Sequence, residues 1–323
     1  MTIHDGAEPP AINPFDRAAI SAETRAVNDA FASRLASIPP PADRNALRLA
    51  YASGDLSLPV GPRSPRARTL AIEGPGGQIG LRILAPPAPV GAYLHIHGGG
   101  WTAGRNDMWD SQLELLGAEA GMAAVSVEYR LAPEHPFPAG LEDCVAAARW
   151  LAANARSEFG TSWIAIGGES AGAHLAAATL LRLRDAGSPL FRAANLMYGC
   201  FDLSLTPSMR AANQTLVIDR AKVEALVAQF RGAFDVRDPA LSPLYADLTG
   251  LPPALFSVGT LDPLLDDSLF MHMRWRGAGN ASQLAVYPGG VHGFHMLEGQ
   301  LAREANLSVA RFLAHASRRQ SDR

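Results

Sequence analysis

From about residue 68 onward, the chain alternates between short apolar segments and longer segments whose apolar residues recur every third or fourth position. The short segments are typical of β-strands and the longer ones of amphipathic helices. This alternation predicts an α/β fold in which helices cover a mostly parallel sheet. The predicted strands are 68–72, 79–84, 92–96, 123–129, 163–167, 194–198, 254–258 and 283–287. The predicted helices are 110–120, 141–155, 171–184, 266–277 and 301–315. The first two strands have no helix between them and are predicted to form an antiparallel hairpin.

Two regions add helical segments without adding strands. In residues 1–50 an apolar stripe runs from Ile20 to Leu35 and stops at three consecutive prolines, and in residues 203–247 a helix is predicted to begin at Asp219. Ligands of open α/β sheets bind at the carboxyl edge of the strands, so these regions are predicted to cap that edge. The predicted organisation is cap helices at 1–52, an α/β domain at 53–202 and 248–323, and a cap insertion at 203–247.

Lys222 is the only lysine among 28 basic residues, which excludes two large classes of enzyme. A phosphate-binding P-loop needs a lysine directly after a glycine, and a Ser-x-x-Lys enzyme needs a serine three residues before its lysine. Here Lys222 follows Ala221, and Asp219 stands three residues before it. We expect Lys222 to lie on the solvated face of a helix.

Charge and cysteine content favour a cytoplasmic protein with neither a nucleic-acid nor a membrane partner. The net charge is −3, and the sequence has no basic run and no apolar run of about 18 residues. The first ten residues, MTIHDGAEPP, lack the basic and apolar regions of a secretory signal. Cys144 and Cys200 have apolar neighbours and are expected to be reduced core thiols. A homodimer is compatible with the sequence.

The segment WIAIGGESAGAHLAAATLL predicts a nucleophilic serine at position 170. A short apolar strand leads into Gly168-Glu169-Ser170-Ala171-Gly172, and an Ala/Leu-rich helix follows directly. In such a strand–turn–helix unit the small residues on either side permit a strained backbone, and the serine hydroxyl is left exposed above the sheet. Serine alone is a weak nucleophile, so a base must lie nearby.

The segment HIHGGGW, residues 95–101, places three glycines directly after the third predicted strand. Glycine loses more backbone entropy on folding than any other residue, so three consecutive glycines destabilise the fold locally. Such a run indicates that another molecule must approach the main chain there. Acyl transfer passes through an oxyanion that needs preorganised N–H donors. In a strand–turn–helix hydrolase these come from the residue after the nucleophile and from a loop after an earlier strand. We therefore predict that the amides of Gly99, Gly100 and Ala171 form an oxyanion hole.

His95 and His97 allow a competing interpretation as metal ligands, because residues two apart on a strand share a face. No further His or Cys follows nearby, and the next carboxylates are Asp107 and Asp110. We therefore predict no metal site. His97 is expected to support the glycine loop by a hydrogen bond, and His95 to be a strand residue.

The base and the acid must follow the serine, in the order Ser, acid, His. Among the histidines, His292 lies in a loop after the last strand, with His295 as its one serious rival; His174, His272 and His315 fall within predicted helices. Three carboxylates, Asp262, Asp266 and Asp267, follow the seventh strand. Asp262 is nearest the strand end, whereas Asp266 and Asp267 are expected to accept hydrogen bonds from free N–H groups at a helix start.

Five motifs together resemble the hormone-sensitive-lipase-like family of α/β-hydrolases, the bacterial family IV esterases. They are HGGGW at 97–101, EYRLAPEHPFPA at 128–139, GESAG at 168–172, GTLDPLLDD at 259–267 and VHGF at 291–294. The resemblance implies an eight-stranded hydrolase sheet with a helical cap, and a triad of Ser170, Asp262 and His292. It further implies hydrolysis of short- to medium-chain acyl esters without a cofactor. Glu169 and Glu128 depart from the family pattern, which has Asp or Thr at the first position and Asp at the second.

Several expectations concern the surroundings of the triad. Trp101 and Phe201 are predicted walls of the substrate pocket, although an aromatic near a strand end is as often plain core. Arg130 and Glu134 are expected to form an ion pair, either buried or at the surface.

Two alternative functions remain open. The same triad is compatible with an amidase or a carbamate hydrolase, and the same fold is compatible with a non-catalytic ligand receptor.

Overall fold

The computed structural model describes residues 13–39, 41–55, 58–188 and 190–321. Eight strands form one sheet in the order β1-β2-β4-β3-β5-β6-β7-β8. The hairpin β1–β2 and the pair β2–β4 are antiparallel, and every other pair is parallel. The strands are β1 Arg68–Gly74, β2 Gly77–Leu84, β3 Gly91–Ile96, β4 Met122–Glu128, β5 Ile164–Glu169, β6 Ala193–Met197, β7 Ala254–Gly259 and β8 Ser282–Tyr287. The predicted mostly parallel eight-stranded sheet is confirmed.

Local sequence signals account for some of the helix ends. Asp219 accepts a hydrogen bond from the Lys222 amide and begins α7, and Gly160, at φ 73°, ends α4 in the left-handed conformation that suits glycine. The helices are α1 Ala22–Ser37, α2 Arg44–Ser53, α3 Asp110–Ala120, α4 Ala139–Phe159, α5 Ala171–Asp185, α6 Pro207–Ala211, α7 Arg220–Phe230, α8 Leu265–Gly277 and α9 Gln300–Ser321. Within the described ranges, no helix is both long and apolar enough to cross a membrane.

The sheet separates two apolar layers because successive strand residues point to opposite faces. In β3, Leu94 and Ile96 pack with residues of α4 and α5, whereas Tyr93 packs with residues of α3 and α9. All six residues of β3 and of β5 are buried. The residues that follow these two strands are therefore held at the carboxyl edge of a rigid sheet.

The expected ion pair between Arg130 and Glu134 is wrong. Arg130 turns back over the start of α4, where its Nε lies 2.9 Å from Oδ2 of buried Asp143. Glu134 instead accepts a hydrogen bond of 2.7 Å from Arg48 of α2. The hydrogen bond from Arg48 lowers the pKa of Glu134 to about 2. The loop between β4 and α4 separates the two side chains, although only three residues lie between them in sequence.

Arg48 also joins α2 to the loop that follows β3. Its Nε donates to the carbonyl oxygen of Thr102 at 2.8 Å, and its Nη2 donates to that of Ala132 at 3.0 Å. The N-terminal helices are thus bound to the backbone beside the glycine loop, although they contribute no strand.

Candidate active site

Ser170 lies in the turn between β5 and α5, in a backbone conformation that few residues other than glycine adopt. Its φ is 56° and its ψ is −121°, which costs of order 1–3 kcal/mol. The backbone of this turn packs directly against the carbonyl oxygen of Ile96, the last residue of β3. A Cβ at Gly168 would lie 2.0 Å from that oxygen, and one at Gly172 would lie 1.9 Å from it. The glycines on both sides of the serine are therefore required by the close approach of β3.

The side chains of Ser170, His292 and Asp262 form one hydrogen-bonded chain. Nε2 of His292 lies 2.9 Å from the Ser170 hydroxyl oxygen, and Nδ1 lies 2.9 Å from Oδ2 of Asp262. The carboxylate is a pure acceptor, so Nδ1 carries the proton and Nε2 is free to accept the serine proton. The other oxygen of Asp262, Oδ1, accepts from the Leu264 amide at 2.9 Å, which fixes the carboxylate plane.

Two loops must nearly touch to bring Asp262 and His292 together. The loop after β7 and the loop after β8 meet at Gly259 and Gly290, where a Cβ on Gly259 would lie 2.0 Å from the Gly290 carbonyl oxygen. The Leu261 amide donates to that same oxygen at 3.0 Å. The backbone contact leaves the acid and the base facing each other at the sheet edge.

The rival His295 lies in a different environment. It is buried against Tyr198, whose hydroxyl is hydrogen-bonded to its Nδ1, and burial lowers its pKa to about 4. The Tyr198 ring also stands edge-on to the ring of His292, with centroids 4.8 Å apart. Sequence reasoning missed Tyr198, because no motif marks the residue after β6.

Asp266 and Asp267 occupy the first turn of α8 but do not cap it. Asp267 is buried and accepts from the amides of Phe201 and Asp202, at 2.7 and 2.9 Å. Asp266 accepts from the Ser208 amide at 2.8 Å. Burial raises the pKa of Asp267 to about 7. The expectation that these carboxylates serve their own helix start is wrong, because the segment after β6 lies closer to them.

The glycine loop after β3 needs glycine at two positions. Gly99 has φ 119°, and a Cβ on it would lie 2.2 Å from the Ala103 carbonyl oxygen; Gly100 has φ 59° and faces Leu226 of α7. His97 supports the loop through Nδ1, which donates to the Gly98 carbonyl oxygen at 2.8 Å. Burial lowers the pKa of His97 to about 4, so the ring stays neutral.

The amides proposed as oxyanion donors lie where no helix or strand uses them. Ala171 is the first residue of α5, and the N–H groups of a first helical turn have no partner within the helix. The amides of Gly99 and Gly100 donate no hydrogen bond to any other described residue. Gly99, Gly100 and Ala171 line the same cavity as Ser170, and we propose that their N–H groups are available there to a substrate oxygen.

Replacing Gly99 by alanine is expected to lower ester turnover by about 10²- to 10³-fold, because the methyl group displaces the amides that meet the oxyanion. The matched control is Gly77→Ala in the β1–β2 turn. Gly77 has nearly the same φ, 117°, but open space around its Cα. Both variants carry the same backbone strain, but only Gly99→Ala also forces its Cβ against the Ala103 carbonyl oxygen, so its unfolding temperature should fall further than that of the control. Turnover of the two is therefore compared at a temperature at which both are folded. Equal turnover in the two variants would contradict the assigned role of Gly99.

Glu169, where the sequence departs from the family pattern, belongs to a buried polar chain beneath the serine. Nε2 of His95 donates to Glu169 at 3.1 Å, and Nδ1 of His95 accepts from the Ser126 hydroxyl at 2.9 Å. Burial opposes ionisation, but the adjacent His95 holds the pKa of Glu169 below its usual value. His95 lies in β3, as expected, and both of its ring nitrogens have hydrogen-bond partners. Among the described residues, no group of three side chains is arranged to ligate a metal.

A cavity of about 650 Å³ opens above Ser170 and lies between the sheet edge and the two helical regions. Its walls are mainly apolar. They include Leu35, Leu47 and Tyr51 of the N-terminal helices, and Val217, Val223 and Leu226 of the second region. Lys222 is exposed, as expected, and also borders the cavity.

Of the two predicted pocket walls, only Trp101 borders the cavity. Phe201 is fully buried and packs edge-on against Phe256, with ring centroids 6.1 Å apart. The prediction for Phe201 is wrong, because the chain after β6 turns this side chain down into the core. Its neighbour Cys200 borders the cavity instead, and burial raises the pKa of that thiol.

The fold and the site define an α/β-hydrolase with a serine, a histidine and an aspartate at the carboxyl edge of its sheet. A family model described as alpha/beta hydrolase fold matches residues 93–296. The chain is 36% identical over 264 residues to the carboxylic ester hydrolase LipN of Mycobacterium tuberculosis, across 77% of this chain and 70% of LipN.

Solved structures agree with these sequence matches. An esterase from the archaeon Pyrobaculum calidifontis superposes with a TM-score of 0.81 at 28% identity, covering 92% of this chain and 98% of its own. An esterase from the bacterial hormone-sensitive lipase family superposes with a TM-score of 0.78 at 29% identity, covering 92% and 99%. The chain therefore belongs to the hormone-sensitive-lipase-like family of α/β-hydrolases, as its motifs predicted.

Proposed function

We propose that this protein is a serine esterase that hydrolyses short- to medium-chain carboxylic esters. The observation that carries the proposal is the unbroken hydrogen-bonded chain from Ser170 through His292 to Asp262, which opens into an apolar cavity. The volume of about 650 Å³ is that of a typical small-molecule site, about 300–1,000 Å³. The ester hydrolases among its relatives support the same activity.

In the proposed first step, Ser170 Oγ attacks the acyl carbon while Nε2 of His292 takes the hydroxyl proton. The carbonyl oxygen becomes an oxyanion and accepts hydrogen bonds from the amides of Gly99, Gly100 and Ala171. His292 then donates its proton to the leaving alkoxide, and the bond between acyl carbon and alkoxide oxygen breaks. Asp262 holds the imidazole in the required tautomer and stabilises its charged form.

In the proposed second step, a water molecule attacks the acyl-enzyme. His292 takes one proton from the water, and the bond between the acyl carbon and Ser170 Oγ breaks as that proton passes to the serine. The carboxylic acid leaves and the free enzyme is restored. No metal or cofactor enters this sequence.

We further propose that residues 1–52 and 203–247 are cap segments over a catalytic domain formed by 53–202 and 248–323. Support comes from the cavity, because α1, α2 and α7 each contribute wall residues opposite Ser170. Residues 1–12 lie outside the described part of the chain. In this organisation the cap sets the length of acyl chain that the enzyme accepts.

A series of p-nitrophenyl esters from acetate to hexadecanoate tests the activity. We expect kcat/KM to peak between butyrate and octanoate, and stoichiometric labelling of Ser170 by an organophosphate. Labelling without turnover of any ester would indicate amide or carbamate substrates, for which the matching p-nitroanilides and carbamates are the next assay. Neither labelling nor turnover would indicate a ligand receptor and contradict the proposal.

A cytoplasmic location and a homodimer are further parts of the proposal. The two cysteines are buried and unpaired, which suits a reducing compartment. Among the described residues, strand β8 ends the sheet order and has a neighbouring strand on one side only; its other edge is the proposed pairing site for a second copy. Sedimentation equilibrium distinguishes a dimer from a monomer.

A further inference from the structure

His174 lies one helical turn after the nucleophile and is fully buried. Its backbone amide donates to the Ser170 carbonyl oxygen at 3.1 Å, as the regular geometry of α5 requires. Its imidazole forms hydrogen bonds with two other parts of the chain. Nδ1 accepts a hydrogen bond of 3.1 Å from the indole Nε1 of Trp101, and Nε2 donates to the Leu241 carbonyl oxygen at 2.7 Å.

These two partners fix the tautomer of the imidazole. An indole N–H only donates, so Nδ1 of His174 must be without a proton; a carbonyl oxygen only accepts, so Nε2 must carry one. Burial lowers the pKa of His174 to about 4, and the ring therefore stays neutral near pH 7. A neutral histidine with both nitrogens satisfied is a rigid link between the helix of the nucleophile and the residue that follows the glycine loop.

Trp101 needs such a link because its backbone is strained. Gly100 and Trp101 have φ values of 59° and 60°, so a side-chain-bearing residue continues the left-handed turn that the glycine begins. Three contacts hold it there: the hydrogen bond to His174, a stacking contact with Phe230 at 4.5 Å, and the Ala132 amide, which donates to its carbonyl oxygen at 2.9 Å.

We infer that His174 is a positioning residue for the oxyanion hole. By accepting the indole hydrogen bond of Trp101, it holds the amides of Gly99 and Gly100 in place relative to Ser170. The inference rests on the proposed esterase activity, since it concerns the transition state of that reaction. A shift of about 1 Å at such donors is enough to lower turnover about 100-fold.

Four variants separate the two hydrogen bonds of this imidazole. Trp101→Phe removes the donor and keeps an aromatic ring on Phe230, and His174→Phe removes both nitrogens. His174→Asn keeps an acceptor near the position of Nδ1, whereas His174→Gln keeps a donor that reaches toward Leu241. Trp275→Phe is the matched control, because the Trp275 indole donates to the Pro252 carbonyl oxygen at 3.0 Å away from the cavity.

We expect Trp101→Phe and His174→Phe to lower kcat by about 10- to 100-fold, with KM changed less than about twofold. The affinity for a trifluoromethyl ketone, whose adduct carries the oxyanion, should fall by the same factor as kcat/KM. His174→Asn should recover most of the loss and His174→Gln little of it. The Trp101→Phe/His174→Phe double variant should be no slower than the slower single variant, since both substitutions remove the same Trp101–His174 hydrogen bond.

The control Trp275→Phe should lower thermal stability and leave kcat and inhibitor affinity unchanged. A loss confined to KM, additive effects in the double variant, or better recovery by Gln than by Asn would each overturn the inference. Such results would make the Trp101–His174 pair a packing contact only.

A measurement without turnover separates this inference from the proposed activity. In the ¹⁵N spectrum we expect one signal from each of the five indole N–H groups, and Trp101→Phe would identify that of Trp101. We expect His174→Phe to shift this signal and speed its hydrogen exchange, and His174→Asn to restore it. If wild-type protein hydrolysed no ester while this pattern held, the esterase proposal would fail and the hydrogen bond would stand. A signal unaffected by His174→Phe would overturn the inference itself.

Discussion

Ser170→Ala is expected to leave a folded protein whose ester turnover is about 10⁶-fold lower than that of the wild type. Alanine keeps the same Cβ and the same backbone strain at φ 56°, so the turn between β5 and α5 should be preserved. What is lost is the hydroxyl that faces Nε2 of His292 at 2.9 Å. Without it no acyl-enzyme forms, and only the oxyanion donors and substrate binding remain to assist water.

Stopped assays at high enzyme concentration, together with circular dichroism, measure this loss in a folded variant. Ser157→Ala is a matched control, because Ser157 lies on the exposed face of α4 and donates only to the Asn154 carbonyl oxygen. It should retain full turnover. Retention of more than a few per cent of wild-type activity by Ser170→Ala would exclude Ser170 as the nucleophile.

Asp262→Asn is expected to lower turnover near neutral pH by about 10⁴-fold, although it changes a single atom. The Leu264 amide donates to Oδ1 of Asp262 at 2.9 Å and would hold the oxygen of an asparagine in that position. The NH₂ group would then take the place of Oδ2, 2.9 Å from Nδ1 of His292. Two donors cannot face each other, so the imidazole must move its proton to Nε2 and can no longer accept the proton of Ser170.

The control for this prediction is Asp266→Asn, which makes the same chemical change four residues away. Asp266 accepts from the Ser208 amide and does not touch His292, so its variant should keep turnover within about twofold. Steady-state kcat and organophosphate labelling rates should both fall in Asp262→Asn. Equal activity of the two variants would show that Asp262 does not orient the base.

The nucleophile illustrates what local sequence can predict. Gly168, Ser170 and Gly172 stand at a strand end and a helix start, and both elements are visible from residue spacing alone. The structure adds the cause, which is the approach of the Ile96 carbonyl oxygen to within 2.0 Å of a Cβ at either glycine. The sequence therefore indicates that small residues are required, but it does not show which atom imposes the requirement.

The choice between His292 and His295 could not be made from the residues alone. The two stand three positions apart in one loop, and both are buried. The path of that loop past Gly259 brings His292 to Asp262 and directs His295 to Tyr198. The family resemblance selected His292 before any coordinates did, because it carries information about tertiary structure from other proteins.

Three expectations failed for a common reason. Arg130 was paired with Glu134, Asp267 with its own helix start, and Phe201 with the pocket. The fold supplied a different partner in each case: Asp143 of α4 for Arg130, the amides after β6 for Asp267, and the Phe256 ring for Phe201. The partner of a polar or aromatic side chain is set by which groups lie next to it in the folded chain, and these groups can be distant in sequence.

The sequence by itself determined the residue types and the elements: eight strands, the helices between them, the serine turn and a glycine loop that only glycine can form. These depend on side-chain periodicity and on backbone conformation, both of which are local. Only the tertiary structure decided which loops meet at the sheet edge, how Trp101 and His174 join, and which apolar residues enclose the cavity. Those contacts join residues tens to hundreds of positions apart, and their pairing is fixed by the packing of the whole chain.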